Sequence, residues 1–186
     1  MYFDAHAHLQ QLPYFQQAIL DAQNCGVQEI LCNAIDESDW HVIKKMTQQY
    51  PNIHVALGIH TCAVDKAKTG WDQRLEKILQ SNPNILVGEI GLDAQYPNMD
   101  DQEQVLRQQL NLAWRYQRPA VIHCFRAWDR LLHILKTQRK KLPPKMMSHS
   151  HHGNPQLIPE LIQNTICVFL IHPFLSLKTI PKFRPV

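Results

Sequence analysis

Apolar residues fall into short blocks along the chain, with longer amphipathic stretches between them. This is the alternation of a parallel sheet in which each strand is followed by a helix. The blocks predict strands at residues 2–4, 29–34, 54–59, 85–90, 120–122, 146–148 and 166–170, and the stretches between predict helices at 14–25, 38–50, 71–79, 101–116, 128–137 and 155–163. Ser38 ahead of one periodic stretch, and Asp100 and Asp101 ahead of Val105, Leu106, Leu110 and Leu112, mark helix starts with acidic groups at the positive end. The fold class is α/β with seven strands at most. No repeat, low-complexity block or Gly/Ser linker divides the chain, so residues 1–186 are expected to form one domain, with 171–186 an irregular C-terminal tail that has neither helical period nor strand pattern.

Composition narrows the class. With 45% hydrophobic and 19% charged residues the chain is neither a disordered tail nor a fibre. No segment approaches the roughly 18–20 apolar residues of a membrane span; the best candidate, residues 165–175, contains His172 and Pro173. Met1, Tyr2 and Phe3 run straight into Asp4 without the basic start and apolar run of a secretory signal, so a cytoplasmic protein is expected. Five cysteines without a Cys-x-x-Cys pair suggest neither a disulfide framework nor a zinc ribbon; they are expected to be reduced and mostly buried. From Lys136 onward eight Lys or Arg face the single acid Glu160, a basic stretch that can meet phosphate or form a solvated surface such as Arg139, Lys140 and Lys141.

The candidate chemistry lies in where histidines fall relative to the strands. His6 and His8 follow the first predicted strand, His60 the third, His123 the fifth and His149 the sixth, while Glu89 ends the fourth. These are carboxyl-terminal strand ends, the face on which parallel α/β sheets and barrels bind ligands. Two residues apart in an extended segment, His6 and His8 point the same way and can share one ion. Glu89 is an acid within an apolar strand, and His123 interrupts another; each alone reads somewhat better as a hydrogen-bonded buried polar group than as a ligand. As a set they favour a divalent metal such as zinc, manganese or magnesium. One carboxylate can bridge two ions, and two ions can activate a water and stabilise the attacked and leaving oxygens of a phosphodiester. The ligands do not define the substrate.

At these residues the chain resembles the TatD-type metal-dependent deoxyribonucleases of the amidohydrolase superfamily. Residues 3–9, Phe-Asp-Ala-His-Ala-His-Leu, resemble the family's opening Asp-x-His-x-His-Leu, and 56–60, Ala-Leu-Gly-Ile-His, its Gly-x-His-Pro segment. Residues 87–93, Val-Gly-Glu-Ile-Gly-Leu-Asp, match its Gly-Glu-x-Gly-Leu-Asp stretch, 119–123 its Pro-Val-x-x-His strand, and 149–153 resemble its His-x-Phe-Ser-Gly. The resemblance runs in register from Phe3 to about Leu170. It implies a TIM-like (β/α) barrel, here incomplete with about seven of eight strands. It also implies two divalent ions (Mg, Mn or Zn), one held by His6 and His8 and the other by His123 and His149, with Glu89 the bridging and catalytic carboxylate. Asp4 is expected to orient a ligand, His60 to contact the substrate or its phosphate, and His151 and His152 to be solvated members of the same loop.

The departures carry expectations of their own. Thr61 stands where the family has proline after its histidine, Phe125 where it has an arginine, with Arg126 next door, and Leu170, Ile171 and His172 follow the seventh strand. The family's late Glu-Thr-Asp segment, whose Asp is a metal ligand and proton acceptor, has no counterpart, nor has the eighth strand; beyond His149 the only acid is Glu160, in a predicted helix. The reading is a TatD-like hydrolase with DNA as the expected substrate and activity impaired by the missing Asp, and with no membrane or protein partner. Two alternatives stay open: a catalytically inactive truncated remnant or binding protein, and an amidohydrolase acting on an amide or ester.

Overall fold

A computed structural model describes residues 2–150 and 153–163 and the backbone of 166–168. Each predicted apolar block forms the heart of a strand: β1 (Tyr2–Ala7), β2 (Val27–Asn33), β3 (Ile53–Leu57), β4 (Leu86–Asp93), β5 (Ala120–Phe125), β6 (Met146–Ser148) and β7 (Ile166–Val168). Between them run α1 (Phe15–Asn24), α2 (Glu37–Gln49), α3 (Trp71–Ser81), α4 (Met99–Arg115), α5 (Trp128–Thr137) and α6 (Ile158–Gln163). The tail 171–186, His151 and His152, and residues 169–170 of the predicted seventh strand lie outside the described residues.

All strands are parallel and pair in sequence order from β1 to β7. In a flat sheet β1 and β6 would lie about 24 Å apart, five inter-strand spacings. Yet the ring of His6 on β1 stacks on that of His149, the residue after β6, with centroids 3.6 Å apart. The sheet is therefore curled into a partial barrel. Among the described residues β1 pairs only with β2, so β1 and β7 are the edges of the curl.

Helices cover the convex side. Trp40, Ile43 and Met46 of α2, Leu75 and Leu79 of α3, Leu106, Leu110 and Ala113 of α4, and Leu131 and Leu135 of α5 recur at helical spacing and are buried against Ile30, Cys32, Val55, Leu57, Ile90 and Ile122 of the strands. The concave side holds a smaller plug of Leu31, Ala56 and Val121, with Leu86 and Met147 against it. Two residues further along their strands, Leu31 gives way to Asn33 and Val121 to His123, so the inner surface turns from apolar to polar toward the carboxyl ends.

Helix starts differ slightly from the sequence reading. Asp36 caps α2 by accepting from the Ser38 N–H at 2.7 Å, so the helix begins at Glu37. Asn98, in the left-handed conformation, precedes α4, which starts at Met99 ahead of the acidic pair. Residues 155–157 form a 3-10 turn, leaving α6 only residues 158–163. The four described cysteine side chains are free; Cys32 and Cys124 are buried, Cys62 is half-buried and Cys25 is exposed.

Three strands run past their predicted ends, β1 to Ala7, β4 to Asp93 and β5 to Phe125, and these extensions shape the site by placing His6 and His123 inside their strands and Glu89 well before the end of β4. The β4–β5 register shifts between Val87 and Ile90. A Cβ on Gly88 would point at Val121 and Ala56 on the concave side, and Glu89 next to it also projects inward, so the irregularity aims two consecutive residues at the interior. Gly91 permits the close approach that follows, since a Cβ there would sit 1.8 Å from the His123 carbonyl oxygen.

Where β3 and β4 stop pairing, after Leu57 and Val87, a side chain replaces the ladder. Gln109 of α4, fully buried, accepts from the Ile59 N–H at 2.7 Å and donates to the Ile59 carbonyl at 3.1 Å. Gln102, one helical face along, does the same for the N–H and carbonyl of Asp93 at 2.8 and 3.1 Å. The Trp40 indole N–H donates to the Gly58 carbonyl at 3.0 Å. The segment leading to His60 is thus pinned from both neighbouring helices.

Candidate metal centre

Glu89 is 1% exposed, and five imidazoles surround it. Its two oxygens divide them. Oε2 faces Nε2 of His6 at 3.4 Å and Nε2 of His8 at 3.2 Å. Oε1 faces Nε2 of His149 at 2.6 Å, Nδ1 of His123 at 3.2 Å and Nε2 of His60 at 3.7 Å. By mutual distance the potential ligand atoms form two groups that share the carboxylate: His6, Glu89 and His149, and His60, Glu89 and His123. All six residues singled out in the sequence therefore meet at one point, contributed by β1, the loop after β3, β4, β5 and the loop after β6. The grouping by mutual distance pairs His6 with His149 rather than with His8.

Electrostatics explain why such a cluster wants a cation. Burial alone would raise the Glu89 carboxyl, but hydrogen bonds from His123, His149 and His8 outweigh it and hold the group well below the usual carboxylate range. Burial also opposes charge on His8 and His123, and their hydrogen bonds to Glu89 overcome it, so both are pushed up. At His6 and His60 burial prevails and lowers the pKa to about 4. Without a cation, protons on imidazoles balance the buried carboxylate; a divalent ion balances it directly and releases them. A carboxylate with neutral imidazoles is a donor set that suits zinc or manganese, and the residues present fit such an ion.

Around this centre lie partners that the sequence did not reveal as such. Asp93, part of the matched stretch but given no role, accepts from His123 Nε2 at 2.9 Å through Oδ2, leaving Nδ1 toward Glu89. Its other oxygen accepts from the Gln95 N–H at 2.8 Å. His8 Nδ1 donates to the Asn33 carbonyl at 2.9 Å, and the Asn33 amide nitrogen lies 3.1 Å from His6 Nδ1. The Cys62 N–H donates to His60 Nδ1 at 3.2 Å, with Cys62 Sγ 3.1 Å away. Asp4 accepts from the main-chain N–H of His6 at 3.1 Å and so holds the backbone of the segment rather than a ring. The one available signal was a polar residue closing an apolar run, as Asn33 and Asp93 both do.

A curled, all-parallel α/β sheet with a buried carboxylate ringed by histidines at its carboxyl-terminal face defines a partial (β/α) barrel with a candidate metal centre. The chain belongs to the TatD related DNase family, whose model matches residues 3–178. It is 28% identical over 169 residues to the uncharacterised metal-dependent hydrolase YjjV of Escherichia coli K12, covering 87% of this chain and 64% of that protein. The crystal structure of the same YjjV superposes with a TM-score of 0.82 at 27% identity over 90% of this chain and 66% of the other. A relative from Pectobacterium atrosepticum named as the 3'-5' ssDNA/RNA exonuclease TatD is 24% identical, covering 79% of this chain and 57% of its own. The chain thus spans less than two thirds of the length of these relatives. No helix among the described residues is long and apolar enough to cross a membrane.

Proposed function

We propose that the protein is a metal-dependent hydrolase of phosphodiester bonds, with DNA ends as substrate. The observation that carries this reading is the buried Glu89 carboxylate with imidazole nitrogens on both of its oxygens. His6 and His8 on one side, and His123 and His149 on the other, would hold two divalent ions (Mg, Mn or Zn) with Glu89 between them. Bound there, the ions would supply a water made acidic enough to attack at neutral pH and positive charge for the phosphate oxygens. The family match and the exonuclease name of one relative support a nucleic-acid substrate.

The chain's own residues define the remaining roles. Glu89, ionised and rigidly held, keeps the two halves of the site in one geometry. Asp93 fixes the His123 ring, so that Nδ1 is the atom offered to the centre. The His60 ring accepts a backbone N–H at Nδ1, so its hydrogen sits on Nε2, the nitrogen that points into the site. A neutral imidazole N–H there would donate to a phosphate oxygen and make a poor metal ligand, which supports a substrate contact for His60. Among the described residues Glu89 is the only carboxylate in either ligand group, so none is spare to accept the proton of the attacking water. The expected activity of the 186-residue chain is consequently low, by the roughly 10²- to 10⁴-fold that a general base contributes.

The test is metal-dependent release of nucleotides from single-stranded DNA, with amide and ester substrates assayed beside it under the same Mg, Mn or Zn. Weak nuclease activity that disappears with Glu89→Gln, together with the bound metal, is the expected result. Hydrolysis of the amide or ester alone would replace the substrate assignment, and unchanged metal content in the variant by elemental analysis would remove the centre.

A further inference from the structure

We infer that Asn33 is the positioning residue for both histidines of the His6–His8 pair, setting the ring tautomer of His6 through its side-chain amide and of His8 through its carbonyl oxygen. The inference rests on the proposed metal centre and goes beyond it by naming what makes the two rings ligands.

A neutral imidazole has one N–H and one lone pair. A metal takes the lone pair, so the other nitrogen must carry the hydrogen and donate it to an acceptor. His8 meets this condition once a cation displaces the hydrogen that Nε2 shares with Glu89 at 3.2 Å, because Nδ1 already donates to the Asn33 carbonyl at 2.9 Å. The carbonyl is itself held, since the Gln10 amide donates to it at 2.9 Å and to Asp39 at 2.9 Å.

His6 is in the opposite state. The Asn33 amide nitrogen, 3.1 Å from His6 Nδ1 and 3.3 Å from the Leu31 carbonyl, donates to both. The ring hydrogen is then on Nε2, directed at Glu89 Oε2 at 3.4 Å, and no lone pair faces the centre. In this arrangement the amide oxygen Oδ1 is buried without a hydrogen-bond partner, in a residue 0% exposed. Orphaned buried acceptors are rare because burial removes water without replacing its hydrogen bond. A half-turn of the amide about Cβ–Cγ gives Oδ1 a donor in the His6 ring and frees Nε2, at the cost of the bond to the Leu31 carbonyl. Oδ1 then accepts from His6 Nδ1–H, the hydrogen leaves Nε2, and the His6 lone pair enters the site beside that of His8. The two amide orientations correspond to a cation-free and a cation-holding state of one ring. Asn33 reaches this position because it closes the inner face of β2 directly beside β1.

The test titrates the protein with Zn²⁺ against a chromophoric chelator, for the natural chain and for Asn33→Leu, Asn33→Asp and Glu89→Gln, with ¹⁵N NMR of the His6 ring before and after Zn²⁺. Asn33→Leu keeps the shape but neither donates nor accepts, and should weaken the tightest site roughly 10- to 100-fold while melting cooperatively. Asn33→Asp accepts from Nδ1–H without turning, and should bind at least as tightly as the natural chain; this variant and the NMR carry the test if the leucine variant does not fold. In the natural chain the His6 hydrogen should move from Nε2 to Nδ1 on adding Zn²⁺. Natural affinity in Asn33→Leu, or the same His6 tautomer with and without Zn²⁺, would overturn the role of Asn33. Natural affinity in Glu89→Gln would instead overturn the metal centre itself.

Discussion

At the residue scale, the polar side chains that matter most to the site include one that never touches it. Gln109 stands in for the missing β3–β4 ladder by serving both backbone groups of Ile59, which is 1% exposed. Replacing it with leucine would leave a buried N–H and a buried carbonyl unpaired, each costing about 1–3 kcal/mol. Gln109→Leu is therefore expected to lose about 2–5 kcal/mol of stability in urea unfolding. It should also free the segment that carries His60, which NMR line widths of that ring would register. A loss under 1 kcal/mol would mean that water replaces the amide.

At the element scale, β4 and β5 approach so closely at Gly91 that the carbonyl of His123 occupies the space of a side chain. Gly91→Ala cannot be absorbed by a flexible neighbour, because the obstacle is backbone. The strands must separate, and His123 moves away from Glu89 with them. The expected outcome is a strongly destabilised or insoluble protein, and any soluble fraction should bind less divalent metal by elemental analysis; a stable variant with full metal content would show that the register shift is adaptable. Strand and helix order was legible in the sequence, since blocks such as residues 120–122 are too apolar and too short for anything else. What stayed hidden was how far β1, β4 and β5 continue. His6 and His123 break their apolar runs, and a local reading stops a strand short of a polar residue, whereas here both rings face Glu89 across the sheet. The inward turn of both Gly88 and Glu89 defeats simple alternation in the same way. Asn33 and Asp93 were visible as polar residues, but their partners come from other strands, and only the curl brings those within reach.

At the scale of the whole molecule, ion pairs tie the helical layer together outside the site. Arg130 of α5 reaches both Asp100 and Glu103 of α4, and Arg107 joins at Glu103. Burial would raise the Glu103 carboxyl, but hydrogen bonds from Arg130 and Arg107 outweigh it and hold it below its ordinary value of 4.5. A depressed carboxylate contributes stability that is complete above its unfolded pKa and is lost as pH falls through the folded one. Glu103→Gln should accordingly lower stability at pH 7 by about 0.5–1 kcal/mol, discounted for solvent screening. The deficit should shrink below pH 4.5, so thermal melts of both proteins should converge toward acid; a gap that stays constant down to pH 3 would assign the effect to packing.

The sequence-ordered sheet also bears on how the protein is made. Each strand pairs with the one synthesised just before it, so every βα unit can dock while the ribosome is still adding the next, with short loops to close and little to search for. The histidine cluster follows a different schedule. His6 lies on β1, yet its stacking partner His149 is translated only after five more strands have been laid down. The strands β1 to β6 are therefore laid down before the two ends of the cluster can meet, and the site is assembled by the closing of the curl rather than by any one βα unit.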